Sequence, residues 1–340
     1  MAKKKNEQVN QEKDDLIEGL ILDLNKKYND IVSMTLEDST GASVKMWIPS
    51  GDPSIDEVLG GGWPCGRTVE VFGQESSGKT TLALTAIKEC QKMNGVAVFL
   101  DTEHALDRER AKALGVDLKK MIYAAPETLE EVFQYVEDII EIIRKKDTER
   151  PVIIVWDSVA ATPTKAEVEG DYDDRHVGVQ ARAMSQGLKK ITSKISQHNI
   201  LFMCVNQMRT NVGVMYGNPD TTPGGRALRY YSSMRVKISK VGQHKEGGVV
   251  AGIKCKIKTE KNKIAPPFAE TEFTILFDKE NAGIDSIGSL LDAGHKELFG
   301  GTAGWYDIQG KKMRKNEARK FLKENPDVFK MYYDTLQSMK

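Results

Sequence analysis

Residues Gly73-Gln74-Glu75-Ser76-Ser77-Gly78-Lys79-Thr80 decide the reading of this chain. They match G-x-x-x-x-G-K-[ST] in full. Before them Thr68–Phe72 reads as a short buried strand, and after them Thr80–Met93 reads as a helix stopped by Asn94-Gly95. In a strand–loop–helix context the glycines let backbone N–H groups wrap phosphate oxygens, and the helix N-terminus adds its positive end. The segment Gly73–Thr80 is thus expected to cradle a nucleotide, with Lys79 reaching the β- and γ-phosphates and Thr80 holding Mg²⁺.

The same rhythm continues outward. Val96–Leu100, Val152–Trp156 and Ile200–Val205 read as buried strands. Leu129–Lys145, with Val132, Phe133, Val136, Ile139, Ile140 and Ile143 on one side, reads as an amphipathic helix, and Ala181–Gln197 as another. Alternation of this kind predicts an α/β fold with a mostly parallel sheet covered by helices. After Arg229 the runs Met234–Ile238, Val249–Ile257 and Thr271–Phe277 predict additions to that sheet as antiparallel strands or hairpins. Upstream, a Gly/Pro-rich stretch from Pro49 to Gly66 separates the core from an N-terminal segment, where Leu16, Ile17, Leu20, Ile21 and Leu24 recur at helical spacing. That helix packs either on its own domain or on a neighbouring subunit.

In parallel sheets ligand groups gather at the carboxyl ends of strands. Asp157 follows one predicted strand and fits the carboxylate that shares Mg²⁺ with Thr80. Glu103 lies just beyond another and is the candidate to activate water, with Asp101 as its competitor. Asn206-Gln207 follows a third. Two long polar loops, Thr162–His176 and Thr210–Gly225, have nothing of their own to pack, and loops of this length are commonly functional. Arg175, Arg182 and Lys189 flank the first; Arg209, Arg226 and Arg229 border the second. Glycine amides at Gly224-Gly225 can bind phosphates, and Val212 and Tyr216 can sit against bases.

Composition narrows the class. The 340 residues carry 49 Lys+Arg and 49 Asp+Glu, so no net charge steers the chain toward nucleic acid and any such contact must be local. No apolar run approaches the roughly 18 residues of a membrane span, and no secretory signal follows Met1. Cys65, Cys90, Cys204 and Cys255 are scattered, without metal-ligand spacing, which fits a reducing, cytoplasmic setting. Residues 311–340 hold nine Lys/Arg against four Asp/Glu. A solvated helix face and a contact to double-stranded DNA are the two readings of that charge.

The chain resembles the bacterial-type RecA recombinases. The resemblance rests on GQESSGKTT (Gly73–Thr81), DTEHALDRERAKALG (Asp101–Gly115), Trp156–Ser158, KAEVEG (Lys165–Gly170), Asn206–Arg209, MYGNPDTTPGG (Met215–Gly225) and KNKIAPPF (Lys261–Phe268). It implies a RecA-like P-loop ATPase core over residues 46–285, an N-terminal polymerisation arm (1–45) and a small C-terminal α/β domain (286–340). It implies a helical homo-filament on single-stranded DNA that pairs and exchanges strands while hydrolysing ATP. By resemblance, Thr81, Asp107 and Arg110 join the ATP site, and Gln207 senses the γ-phosphate. The resemblance implies that Arg182, Ser185, Lys189, Val212, Gly224 and Gly225 face DNA and that the two DNA-binding loops run at about 162–176 and 207–228. Arg209, bordering the second loop, is a further candidate for DNA. Lys261 and Lys263 reach the ATP of the adjacent protomer; a solvated edge strand is the alternative reading of this lysine pair. Arg110 stands where the family commonly has a tyrosine on adenine, and a guanidinium can also stack on a base. Two rival readings remain. One is a hexameric motor or helicase on the same core. The other is a regulatory module for which ATP is only a structural ligand.

Overall fold

A computed structural model describes residues 16–29, 33–35, 43–147, 149–171, 178–210, 220–278, 282–294, 296–302 and 304–339. The chain divides into two units, residues 1–45 and 46–340. In the first, α1 spans residues 16–28. Its Leu16, Ile17, Leu20 and Leu24 are exposed. Asn25 donates to the Ser33 carbonyl at 2.9 Å and accepts from the Ser33 amide at 2.9 Å, which ties down the chain leaving the helix.

The second unit opens with β1 (Trp47–Ile48), α2 (Pro53–Leu59) and β2 (Trp63–Pro64). The stretch expected to be a separator is therefore structured. Asp52 accepts from the amides of Ser54 and Ile55, and Pro53 takes the first helical position, where its missing N–H costs nothing. Ile55, Leu59 and Trp63 are fully buried. So short a helix, closed by Gly60 at φ 89°, shows no periodicity that a sequence reading can detect.

Among the described residues the central sheet has nine strands, in the order β13-β12-β11-β10-β3-β7-β6-β4-β5. They are β3 (Arg67–Gly73), β4 (Val96–Asp101), β5 (Met121–Ala124), β6 (Val152–Asp157), β7 (Ile200–Gln207), β10 (Met234–Glu246), β11 (Val249–Asn262), β12 (Glu270–Leu276) and β13 (Gly283–Ile284). From β10 through β3, β7, β6 and β4 to β5 the neighbours are parallel, and β11, β12 and β13 add antiparallel pairs. β6 and β7 are unbroken apolar runs because helices cover both faces. Val249–Ile257 and Thr271–Phe277 lie in antiparallel additions as expected, whereas Met234–Ile238 joins β3 in parallel and turns antiparallel only toward β11. β10 and β11 continue as a long ribbon whose outer half is largely exposed. A short pair, β8 (Arg209–Thr210) and β9 (Asp220–Thr221), stands apart from the sheet.

On one face lies α3 (Lys79–Lys92), which buries Leu82, Leu84 and Ile87; α4 (Arg108–Ala113) adds Ala111 to the same cluster. On the other, α5 (Leu129–Lys146) and α7 (Val179–Gln197) bury Val132, Phe133, Val136, Met184, Leu188 and Ile191 around Trp156. The Trp156 ring meets Phe133 edge-on at 5.9 Å and stacks on Phe202 at 6.3 Å. The acidic loop after Thr162 holds a helix of its own, α6 (Lys165–Glu169), started by a capping box between Thr164 and Glu167. α8 (Gly225–Tyr231) follows the second loop and packs on α7.

Beyond β13, α9 (Ser286–Ala293), the hairpin β14 (Trp305–Ile308) with β15 (Lys311–Arg314), α10 (Lys315–Glu324) and α11 (Pro326–Ser338) share a cluster of Leu290, Leu291, Phe299, Ile308, Leu322 and Leu336. This C-terminal part meets the core through Tyr333, whose hydroxyl donates to the buried Asp56 of α2. Burial pushes the neighbouring Asp52 carboxyl up to about 7. No helix among the described residues is long and apolar enough to cross a membrane.

The α5–α7 contact depends on one glycine. A Cβ at Gly187 would fall 2.1 Å from the Phe133 ring. Alanine ordinarily gains about 1 kcal/mol over glycine inside a helix, whereas forcing a ring out of a packed core costs about 1–3 kcal/mol. Gly187→Ala is expected to lower the unfolding midpoint in urea, and a raised midpoint would show that Phe133 yields freely.

Candidate active site and nucleic-acid face

The parallel register assembles the site. Gly73 is paired with Gln207, and Asp101 with Asp157, so the carboxyl ends of β3, β7, β4 and β6 open on one edge. Gly73 leaves no room for a side chain, since a Cβ would lie 2.1 Å from the Ile238 carbonyl. Ser76 and Gly78 have φ of 57° and 97°, a backbone that turns successive N–H groups inward. α3 starts at Lys79 with no side chain capping its first amides. Loop and helix end together have the backbone geometry of the phosphate cradle expected of Gly73 to Thr80.

Lys79 donates to the carbonyls of Gly73 at 3.2 Å and Gln74 at 2.7 Å. Burial lowers its ammonium, while the charges of Asp157, Glu103 and Glu75 act the other way. The Thr80 hydroxyl donates to Asp157 Oδ2 at 2.7 Å. Burial pushes Asp157 up to about 6, against the pull of the Thr80 hydrogen bond. Two hard oxygen donors this close, beside a phosphate cradle, fit Mg²⁺ well.

Beside the cradle lies a cavity of about 460 Å³. Thr80, Thr81, Asp107 and Arg110 line its polar side, and Leu84, Leu106, Ile253, Ile275 and Phe277 its apolar side. Asp107 caps α4 by accepting from the Arg110 amide at 2.6 Å. The Arg110 guanidinium donates to Thr81 Oγ1 at 2.9 Å, which holds it against α3.

Asp101 and Glu103 differ in what they touch. Asp101 accepts from the amides of Leu106 at 3.1 Å and Ala105 at 3.4 Å and from the Tyr123 hydroxyl at 3.2 Å, so it is committed to shaping its own loop. Glu103 is exposed at the strand ends, and its Oε1 accepts from Gln207 Nε2 at 3.0 Å and from the Ser158 hydroxyl. The carboxylate and the amide singled out from sequence are thus bonded to each other.

Arg182, Ser185 and Lys189 are exposed along α7, with Arg209 exposed at β8. Gly224, at φ 91°, caps α8, and a Cβ on Gly225 would lie 2.8 Å from Ala181 Cβ, so the α8 N-terminus sits beside Arg182. Val212 lies outside the described residues. Lys261 and Lys263 are not in the cavity. Lys261, opposite Arg235 in the β10–β11 ladder, donates to the carbonyls of Arg229 at 2.7 Å and Tyr230 at 3.0 Å, at the end of α8. Lys263 is exposed.

Two features were not readable beforehand. Buried Glu70 accepts from Asn206 at 3.0 Å and from Arg235 at 2.5 Å, and Asn206 also donates to the Pro223 carbonyl at 3.0 Å. The end of β7 is thereby tied to the returning limb of the second loop. Around Ser158 a set of hydroxyls from Thr102 and Thr162 closes up. A lone buried glutamate flags the first feature weakly; nothing in spacing flags the second.

Known proteins place the chain in a family. A family model for the RecA N-terminal domain matches residues 15–284. Protein RecA of Francisella philomiragia is 43% identical over 317 residues, 92% of this chain and 86% of that protein. Protein RecA of Francisella tularensis subsp. novicida is 42% identical over the same shares. A match to the family model over most of the chain and relatives this similar along nearly all of it show that the chain belongs to the RecA family of recombinases.

Proposed function

We propose that this recombinase assembles with ATP as a helical filament on single-stranded DNA, pairs it with a homologous duplex, and hydrolyses ATP to ADP and phosphate as it does so. The observation that carries the reading is the meeting of Glu103, Gln207 and Asp157 at the mouth of the phosphate cradle. In this reading the cradle amides and Lys79 hold the phosphates, and Asp107 and Arg110 border the base. Mg²⁺ held by Thr80 and Asp157 would neutralise charge on the β- and γ-phosphates. Glu103 takes the proton of the attacking water. Gln207, bonded to Glu103 and fixed beside Asn206, exchanges that partner for the γ-phosphate and so carries nucleotide state into the second loop.

Arg182, Ser185, Lys189, Arg209 and the amides of Gly224-Gly225 meet the phosphates of single-stranded DNA, contacts that carry no base information. The basic surface of β15 and α10 suits duplex DNA. The apolar face of α1 docks on a neighbouring protomer. A closed ring on the same core finds no particular support in the site, and a pure ATP binder has no need of Glu103.

Two experiments test the chemistry. Glu103→Gln keeps shape but not basicity, so ATP and DNA binding should persist while turnover falls about 10²–10⁴-fold. Turnover near that of the unaltered protein would remove Glu103 from the role. Lys261 and Lys263, absent from the protomer's own cavity, are assigned to a neighbour's γ-phosphate, where positive charge in trans is worth about 10³–10⁵-fold in known cases. Lys79→Ala and Lys263→Ala should each be inactive in DNA-stimulated hydrolysis, and a mixture should recover activity at interfaces that combine an intact cradle with an intact Lys263. No recovery in demonstrably mixed filaments would contradict the assignment.

A further inference from the structure

Glu103 protrudes from a loop, yet a base must be held still to be effective. Both of its hydrogen bonds among the described residues fall on Oε1, one from Gln207 and one from the Ser158 hydroxyl. If Gln207 turns to the nucleotide, Ser158 is the donor that remains. Ser158 is almost completely buried and is itself pinned. Its carbonyl lies 3.0 Å from Thr102 Oγ1 and 2.8 Å from Thr162 Oγ1, and the two hydroxyls are 2.8 Å apart. The Trp156 indole donates to Thr162 Oγ1 at 3.0 Å, and that ring is fixed in the core between Phe133 and Phe202.

Thr162 is also where the first long loop begins. Its carbonyl accepts from Gln180 of α7 at 3.2 Å, two residues before Arg182. A continuous run of hydrogen bonds therefore leads from the start of that loop and the DNA-facing helix, through Thr162 and Ser158, to one oxygen of Glu103. Buried networks of this kind act as units, because any member left unpaired is costly.

We propose that Ser158 is a positioning residue for hydrolysis. Its hydroxyl orients Glu103 through Oε1 and leaves Oε2 to the water, and Thr162 links that orientation to the first loop, so DNA held there tunes turnover. This rests on Glu103 being the base. It adds a second route from DNA to the site, separate from Gln207 and the second loop.

The test is a set of turnover measurements with ATP and single-stranded DNA on the full chain. Ser158→Ala should lower kcat about 10–100-fold, the scale of one hydrogen bond to a charged group. KM for ATP and affinity for DNA should stay within about twofold, since the phosphate cradle and α7 are untouched. Ser158→Cys, similar in shape but a weak donor, should behave alike and covers the case in which the alanine variant misfolds. Adding Ser158→Ala to Glu103→Gln should cost nothing further, and Thr162→Val should lower kcat in the unaltered protein but not in Ser158→Ala. Losses that multiply in either double variant, or a raised KM with kcat intact, would mark Ser158 as merely structural and overturn the proposal. A Glu103→Gln variant that still turns over would instead remove the base itself and this inference with it. If Glu103→Gln is inactive while Ser158→Ala and Ser158→Cys work normally, only the positioning role falls.

Discussion

The parallel register of β3, β7, β6 and β4 is the constraint on which the rest depends. Hydrogen bonding between strands aligns Gly73 with Gln207 and Asp157 with Asp101, and a slip of one residue would turn each of these groups to the opposite face. The apolar runs that precede them hold the register, because Val152–Trp156 and Ile200–Val205 are buried on both sides. Packing thus fixes the chemistry: the polar groups are the last residues of strands that have nowhere else to lie.

From that edge two connections run outward. One passes through Asn206, itself held by Glu70, to the Pro223 carbonyl of the second loop, and the other through Ser158 and Thr162 to the first. Both end near the α7–α8 surface, where Gly225 packs on Ala181 beside Arg182. Lys261, bonded to the last carbonyls of α8, is attached to this surface as well. A change at α8 is therefore felt by the residue assigned to a neighbour's nucleotide. Such an arrangement suits an ATPase whose turnover answers to DNA and to assembly together.

Much of this was legible in the residues. The P-loop and the buried strands announce themselves, because a full motif between a strand and a helix has few other uses, and unbroken apolar runs in an α/β pattern are parallel strands. The elements that escaped were short or disguised. α2 hides among prolines and glycines, and α6 hides in an acidic loop where only its capping box marks it. Glu103 was preferred to Asp101 from the sequence, and the structure adds support that spacing cannot show, since Asp101 is occupied by the Ala105 and Leu106 amides. The hydroxyl network had no signature at all, because serine and threonine are common and only the fold brings Thr102, Ser158 and Thr162 together. Lys261 was assigned to an extended segment, but nothing in its spacing shows that its ammonium bonds the Arg229 and Tyr230 carbonyls at the end of α8.

The central claim is that this site works within a helical assembly on DNA. Electron microscopy of the protein with ATP and single-stranded DNA tests it most directly. The account predicts continuous helical filaments along the DNA, lost when residues 1–30 are removed. Closed rings of fixed subunit number, or filaments that persist without those residues, would contradict it.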